Sequence, residues 1–206
     1  MNYKEKYLSE NDKNKYNYLY HLPPKKGRYL VLDTETTGLE EEDHIIDVGL
    51  SEIIDGRISC EQFQVKIRPR KQIEENARKR HGISNESFDE YFFGYFIDER
   101  NGLSKLLHLI GNSIIFSHQA LFHSNFLNKE LIYWGLPTIP KNQFRCSLRI
   151  FRTLIKEHNP HYNLQNISLK DCCIYYGIPI IEENLHTTTY DSFINAQLIL
   201  KLFENK

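Results

Sequence analysis

Apolar residues in the first third of the chain fall into short runs at residues 29–32, 45–54 and 63–67. Asp55-Gly56 separates the second run from the third, and this dipeptide is typical of a two-residue hairpin turn. Pro69 follows the third run and cannot continue a strand in the middle of a sheet. The pattern predicts three strands connected as a meander.

Helical periodicity replaces this pattern in the second half of the chain. Between Leu103 and Ile110 the apolar residues recur three or four positions apart, which indicates one buried face of a helix. Ser168 is a candidate N-cap, and the last helix is predicted to begin near Asp191. The other predicted elements are a helical turn at residues 73–79, a strand at 114–116, a helix at 122–134, and a strand leading into a helix at 144–155. Strands that alternate with helices after a meander predict an α/β fold with a mixed sheet.

Length and composition favour one domain preceded by a polar segment. A chain of 206 residues with 40% hydrophobic residues can bury one substantial core. Residues 1–27 mix charged residues with aromatic ones and end in the sequence PPKKG, which is rich in helix and strand breakers. We therefore interpret residues 1–27 as an N-terminal arm and residues 28–206 as the globular domain.

The charge and the cysteine pattern exclude several classes of protein. A net charge of −1 excludes a uniformly basic nucleic-acid-binding protein, so contacts with phosphate require local basic groups or metal ions. The four cysteines lack the paired spacing of a zinc site. No secretion signal is visible, and no segment approaches the ~18 apolar residues that cross a bilayer. We expect a soluble, cytoplasmic protein with reduced thiols and no membrane partner.

Paired carboxylates follow the first predicted strand, in the sequence DTETTG at residues 33–38. Residues two apart in a strand point to the same side, so Asp33 and Glu35 present both carboxylates together. Two such oxygen ligands suit Mg²⁺ or Mn²⁺. Acidic junctions between a strand and a turn are also common without a metal, so this motif is informative only in combination with others.

A second polar pair lies near the end of the chain, where His186 precedes Asp191 by five residues. Asp191 is positioned to supply a further carboxylate from the start of the last helix. An unperturbed histidine has a pKa of about 6.5, which suits His186 to act as a general base. The alternative is a turn histidine and an aspartate that stabilises the N-terminus of a helix.

Taken together, these segments resemble the motifs of the DnaQ-like DEDDh 3′–5′ exonuclease family. DTETTG and the H-x4-D sequence are similar to the two outer motifs of that family, and residues between them are similar to its H-G-I segment, its middle motif and the helix before its last motif. The matching segments follow the family's order at residues 33–38, 80–88, 114–127, 166–179 and 186–191. The resemblance extends over residues 28–203.

The resemblance implies a ribonuclease-H-like mixed sheet with flanking helices and a site for two divalent metal ions, Mg²⁺ or Mn²⁺. It implies that Asp33, Glu35 and Asp191 bind metal, that Glu35 orients a water molecule, and that His186 takes the proton of that water. The implied substrate is the 3′ end of single-stranded DNA or RNA. The residues implied to bind the terminal nucleotide are Thr36, Thr37, Gly38, Leu39, His81 and Phe122.

The chain departs from the family pattern in the middle motif, where H-N-A-x-F-D becomes the sequence HQALFH at residues 118–123. His123 thus stands at the position of a metal-binding aspartate, and imidazole is a poorer ligand than carboxylate for Mg²⁺ but is accepted by Mn²⁺ or Zn²⁺. Two hypotheses remain open. The chain is either an exonuclease with an altered metal ligand, or an inactive module of this fold that binds nucleic acid or a polymerase-like protein partner.

Other clusters are compatible with nucleic-acid binding but have simpler explanations. Basic residues concentrate at residues 68–71, 78–80 and 145–152, where they either follow a phosphate backbone or form a solvated surface. Aromatic residues concentrate at residues 91–96, where they either stack on bases or pack in a core or protein contact.

Overall fold

A computed structural model of the chain describes residues 15–86 and 98–206, which form a five-stranded mixed sheet with helices packed against it. The strand order is β3-β2-β1-β4-β5; β2 runs antiparallel to β1 and β3, whereas β4 and β5 run parallel to β1. The strands are β1 (Arg28–Thr36), β2 (Ile45–Ile54), β3 (Arg57–Lys66), β4 (Ile114–Ser117) and β5 (Phe144–Cys146). The predicted α/β class with a mixed sheet is confirmed.

Six α-helices connect or follow these strands in the described part of the chain. They are α1 (Glu75–His81), α2 (Glu99–Ile110), α3 (Ala120–Tyr133), α4 (Ser147–His158), α5 (Leu169–Tyr175) and α6 (Thr188–Glu204). Short 3₁₀ turns occur at Asn17–Tyr20, Lys141–Gln143 and Glu182–Asn184. None of the described helices is long and apolar enough to cross a membrane.

Local sequence signals set several element boundaries. The predicted hairpin turn is present, with Asp55 and Gly56 both at positive φ, 49° and 77°, as a two-residue turn between twisted strands requires. Ser168 caps α5, and its side chain and that of Asp171 satisfy each other's backbone N–H groups. The sequence is therefore sufficient to fix these two boundaries.

The last helix begins earlier than the sequence predicted. It starts at Thr188 rather than near Asp191, because Thr187 is the extended N-cap and its carbonyl accepts a hydrogen bond of 2.8 Å from the N–H of Asp191. Helix α1 likewise covers residues 75–81 rather than 73–79, since the extended Glu74 donates its N–H to the carbonyl of Thr37 at 2.8 Å. The shift of α1 arises from a contact between distant segments.

The N-terminal segment contributes to the core where the structure describes it. Leu19 and Leu22 are buried among the core residues, and Arg149 donates a hydrogen bond of 3.0 Å to the hydroxyl of Tyr20. The division of the chain at residue 27 stays a prediction. The aromatic cluster at residues 91–96 lies outside the described residues.

Helix α6 packs across β1 and β2, and one glycine permits the close approach. A Cβ atom on Gly49 would lie 2.3 Å from the backbone carbonyl carbon of Thr188 and 2.5 Å from its oxygen. Gly49 pairs with Asp33 across the β1–β2 ladder. The first turn of α6 therefore rests on the sheet beside the end of β1, and only glycine leaves room for it.

We predict that Gly49→Ala destabilises the protein by about 3 kcal/mol, because the new methyl group meets backbone atoms that cannot rotate away. Gly135→Ala is the matched control, since no atom lies within 4 Å of its added Cβ and the positive φ of 65° is the single source of strain. That control should cost about 1 kcal/mol. Urea denaturation measures both values, and equal losses would contradict the proposed close contact.

Candidate active site

Two carboxylates lie at the carboxyl end of the central strand; Glu35 is buried, and the side chain of Asp33 is 13% exposed. Asp33 and Glu35 are two residues apart on β1, so their side chains leave the same face of the sheet. The ladder between β1 and β4 ends at Val31 and Phe116, and the chain then turns into α3. The end of β1 thus has β2 on one side and the start of α3 on the other.

Helix α6 and the loop before it bring a third carboxylate and a histidine to this position. Ligand atoms of Glu35, His186 and Asp191 all lie within 4.8 Å of one another. The backbone N–H of His186 donates to Oδ1 of Asp191 at 3.3 Å, and its Nδ1 lies 3.9 Å from Oδ2. The loop folds back here because His186 adopts a left-handed backbone, with φ of 65°. We refer to Asp33, Glu35 and Asp191 as the acidic cluster.

His123 on α3 lies beside the acidic cluster. Its Nε2 is 3.6 Å from Oδ1 of Asp33, and its Nδ1 is within 2.9 Å of the hydroxyl of Thr34. The ring of Phe122 packs against the imidazole of His123 with centroids 5.2 Å apart. The residue that replaces the family's aspartate is therefore held in the site by contacts on both of its ring nitrogens.

Burial and mutual repulsion raise the pKa values of the acidic cluster. Burial holds the pKa of Asp33 well above its usual range, with further contributions from the charges of Glu35 and Asp191. Burial also raises the pKa of Glu35 to about 8 and that of Asp191 to about 6. The three carboxylates therefore carry less than their full charge at neutral pH, and a bound cation would favour the charged forms.

The histidines of the site are neutral at physiological pH. Burial lowers the pKa of His123 to about 3, and burial together with the positive charge of Arg80 lowers the pKa of His186. Nδ1 of His186 is buried and has no hydrogen-bond partner among the described residues. A neutral imidazole with a free nitrogen can accept a proton or bind a metal ion.

The residues predicted to bind the terminal nucleotide divide into two groups. The side chains of Thr36 and Thr37 are buried and hold the loop: Thr36 donates its hydroxyl to the carbonyl of Gly38 at 2.6 Å, and Thr37 donates to Asp43 at 2.7 Å. The site of Gly38 has no room for a side chain, because a Cβ there would lie 2.5 Å from Oδ2 of Asp43. These three residues shape the loop from within.

The second group lies closer to solvent. Leu39 is 54% exposed, His81 is half-buried with its Nε2 3.2 Å from the carbonyl of Thr36, and Phe122 packs on Phe126 with ring centroids 4.7 Å apart. These three side chains are at least partly exposed and are therefore accessible to a ligand. Their role in substrate binding stays a prediction.

Two further charged residues belong to the site but were not singled out as site residues from the sequence. Asp47 is 1% exposed and pairs with Glu35 across the β1–β2 ladder, so its carboxylate lies on the same face. Gln64 donates to it at 2.8 Å. Arg80 on α1 acts electrostatically on all three carboxylates of the acidic cluster. Two sequence signals could have identified these residues: the alternation of side chains along β2 for Asp47, and the helical spacing along α1 for Arg80.

Other basic residues that the sequence grouped together make ion pairs within the fold. Arg70 forms two hydrogen bonds with the buried carboxylate of Glu130, at 2.6 and 2.9 Å. Lys71 lies 2.8 Å from Asp43, and Arg78 lies 2.8 Å from Glu75. The interpretation of these residues as structural or surface charges accounts for their contacts without a nucleic acid.

Comparison with known proteins establishes the family. A family model for the RNase_T exonucleases matches residues 30–199. The chain belongs to this exonuclease family. The epsilon subunit of DNA polymerase III from Buchnera aphidicola subsp. Acyrthosiphon pisum is 33% identical over 182 residues, which cover 85% of this chain and 72% of that protein. The epsilon subunit from Pasteurella multocida is 37% identical over 186 residues, covering 85% and 68%.

Solved structures of other exonucleases have the same fold. Exonuclease X in complex with 5′ overhanging duplex DNA superimposes with a TM-score of 0.58 at 20% identity, covering 85% of this chain and 91% of that one. The zinc-bound complex of E. coli exonuclease I with single-stranded DNA superimposes with a TM-score of 0.68 at 15% identity, covering 87% and 42%. The predicted family resemblance and its ribonuclease-H-like fold are therefore confirmed.

We predict a pH-dependent stability that originates in Glu35. Its pKa of about 8 lies above the ordinary value of 4.5, so the folded state holds a proton that the unfolded state releases. This contribution to stability is complete below pH 4.5 and is lost as the pH rises through 8. In EDTA, Glu35→Gln should remove this loss, and its stability relative to the natural protein should increase by up to about 1.4 kcal/mol per pH unit between pH 6 and 8.

Urea denaturation at several pH values measures this difference. Glu61→Gln removes an exposed carboxylate of β3 and serves as the control. Parallel pH profiles for the natural protein and Glu35→Gln would show that Glu35 is not protonated in the folded state.

Proposed function

We propose that this chain is a 3′–5′ exonuclease that hydrolyses phosphodiester bonds at the 3′ ends of single-stranded DNA or RNA. The observation that carries the proposal is the meeting of Glu35, His186 and Asp191, whose ligand atoms lie within 4.8 Å of one another although they come from opposite ends of the chain. Because the chain belongs to an exonuclease family, we assign this group of residues to the site of phosphodiester hydrolysis.

The acidic cluster has the chemistry of a site for two divalent metal ions. Carboxylate oxygens are the ligands that Mg²⁺ prefers, and Mn²⁺ also accepts imidazole nitrogen. The raised pKa values of Asp33, Glu35 and Asp191 support this proposal, because burial without a nearby cation disfavours the charged form of a carboxylate. When bound, such ions supply a hydroxide at neutral pH and stabilise the leaving 3′-oxygen.

The remaining roles in the proposed reaction are assigned to individual residues. Asp33 and Asp191 would hold the ions from β1 and α6, and Glu35 would in addition orient the attacking water. His186 is neutral and has a free Nδ1, so it can take the proton of the water as a general base. Leu39, His81 and Phe122 would contact the terminal nucleotide through its sugar and base faces, without reading base identity.

His123 modifies the expected metal preference. With its imidazole beside Asp33, the site has one carboxylate fewer than the family pattern, so we propose that Mn²⁺ supports the reaction better than Mg²⁺. The second candidate function is a non-catalytic module that binds nucleic acid or a polymerase-like partner. The observation in its favour is that both nitrogens of His123 already contact residues of β1.

The names of the relatives suggest a setting for the reaction. The epsilon relatives are by name subunits of DNA polymerase III, and exonuclease I is solved in complex with single-stranded DNA. We propose that this chain acts in the cytoplasm on single-stranded 3′ ends, alone or beside a polymerase-like protein.

The direct test of this function is digestion of single-stranded DNA and RNA oligonucleotides labelled at either end. With Mn²⁺, we expect release of the label from the 3′ end as a mononucleotide, while a 5′ label remains on a shortening ladder. His186→Ala should lower the turnover number by about 10²-fold or more and leave oligonucleotide binding largely intact.

His161→Ala, in an exposed loop, is the matched control and should retain full turnover. Binding of the oligonucleotide without release of nucleotides in either metal would favour the non-catalytic module. Full turnover by His186→Ala would remove that residue from the mechanism.

We predict that His123→Asp raises the Mg²⁺-dependent rate by about 10²-fold or more, equivalent to roughly 3 kcal/mol, because it restores an oxygen ligand. The preference for Mn²⁺ should diminish in the same variant. Rates with each metal, measured side by side, give the result. A natural protein that is already fast with Mg²⁺ would show that His123 is no handicap, and inactivity of both proteins would show that the site is damaged elsewhere.

A further inference from the structure

We propose that Arg80 is a substrate-binding residue of the site, which holds the phosphate of the 3′-terminal linkage at the open side of the acidic cluster. The inference deepens the proposed function and rests on it for the identity of the substrate. It concerns a residue of a basic group, Arg78 to Arg80, that otherwise reads as a solvated surface.

Helix α1 is fixed against the end of β1 by contacts at both of its ends. The N–H of Glu74 donates to the carbonyl of Thr37 at 2.8 Å, and Nε2 of His81 lies 3.2 Å from the carbonyl of Thr36. Ala77 packs against a small apolar cluster of Ile46, Ile73 and Ile83 beneath the helix. The orientation of α1 relative to the acidic cluster is therefore set by the fold.

Helical spacing separates the basic residues of α1 into two faces. Arg80 and His81 follow Ala77 by three and four positions, so they share the side of the helix that faces the domain. Arg78 and Lys79 point the other way and pair with the exposed Glu75, at 2.8 and 3.6 Å. Helical spacing thus places one basic residue of the three on the side of α1 that faces the domain, whereas the other two pair with Glu75 on the opposite side.

The positive charge of Arg80 lowers the pKa of each carboxylate of the acidic cluster and so opposes the effect of burial. Its side chain remains exposed, so it borders the entrance to the site rather than filling its interior. A phosphodiester approaching three carboxylates is repelled by them. A guanidinium at the entrance offsets this repulsion and can donate two parallel hydrogen bonds to phosphate oxygens.

The position of Arg80 predicts opposite effects of its removal on the binding of an anionic oligonucleotide and on the binding of a cation. Removal of the positive charge should weaken binding of the anionic substrate and should strengthen binding of a cation to the acidic cluster. A general loss of structure would weaken both. The two affinities together therefore distinguish a direct role in phosphate binding from a structural one.

The experiment compares Arg80→Ala, Arg80→Lys and the matched control Arg78→Ala in two binding assays. The first measures Mn²⁺ affinity by electron paramagnetic resonance. The second measures affinity for two single-stranded oligonucleotides that resist hydrolysis at the 3′-terminal linkage, one with an anionic phosphorothioate and one with an uncharged methylphosphonate. Both assays work without turnover.

We expect Arg80→Ala to bind the phosphorothioate oligonucleotide about 10-fold more weakly, to bind the methylphosphonate one nearly as the natural protein does, and to bind Mn²⁺ about 3-fold more tightly. Arg80→Lys should recover part of the loss, and Arg78→Ala should match the natural protein. Equal losses for both oligonucleotides, or no loss for either, would overturn the proposal, as would a natural protein that does not distinguish the two linkages.

The outcomes separate this proposal from the proposed function. A natural protein that binds and discriminates the linkages without cleaving a standard oligonucleotide retains the role of Arg80 but is not an exonuclease. If the natural protein cleaves from the 3′ end but Arg80→Ala binds the oligonucleotides normally, the proposed exonuclease function stands. Arg80 is then not a substrate-binding residue. Absence of oligonucleotide binding would overturn both.

Discussion

Three carboxylates lie at the end of β1 with little access to water, and burial raises the pKa of each of them. Asp33 and Glu35 are neighbours on β1, whereas Asp191 comes from a distant part of the chain. Few folds maintain such an arrangement for stability, because each unpaired buried charge costs free energy. Strong perturbation of several pKa values at one place is typical of a site that binds or transforms a ligand. These properties support our proposal that the acidic cluster is a cation site whose counter-charge is supplied by bound metal ions.

The remainder of the fold supplies the means of holding the cluster together. The central strand provides Asp33 and Glu35 at fixed spacing, the absence of a side chain at Gly49 admits the first turn of α6, and that turn carries Asp191. Helix α3 places His123 opposite Asp33. The site therefore combines one rigid strand with helix ends that approach it from two sides, and the loop that holds His186 is its least enclosed part.

Sequence patterns predicted those parts of the site that depend on local geometry. The period of a strand was enough to place Asp33 and Glu35 together, and the motif order was enough to associate them with His186 and Asp191. The register of the β1–β2 hairpin, which sets Asp47 opposite Glu35 across the ladder and contains an irregularity just after that pair, has no local signature. The direction of Arg80 likewise depends on how a helix of seven residues docks on the loop at Thr36, and the start of α6 depends on contacts with β2. Such features can be determined only from the folded structure, because they depend on contacts between elements that are distant in sequence.

The most direct test of the account is the location of Mn²⁺ in crystals of the protein, determined from anomalous diffraction at the manganese edge. We expect one ion coordinated by Glu35 and Asp191 and a second on the side of Asp33 and His123. Crystals with Mn²⁺ on exposed acidic residues such as Glu40 to Glu42, and none at the acidic cluster, would contradict the assignment of a metal site at the end of β1.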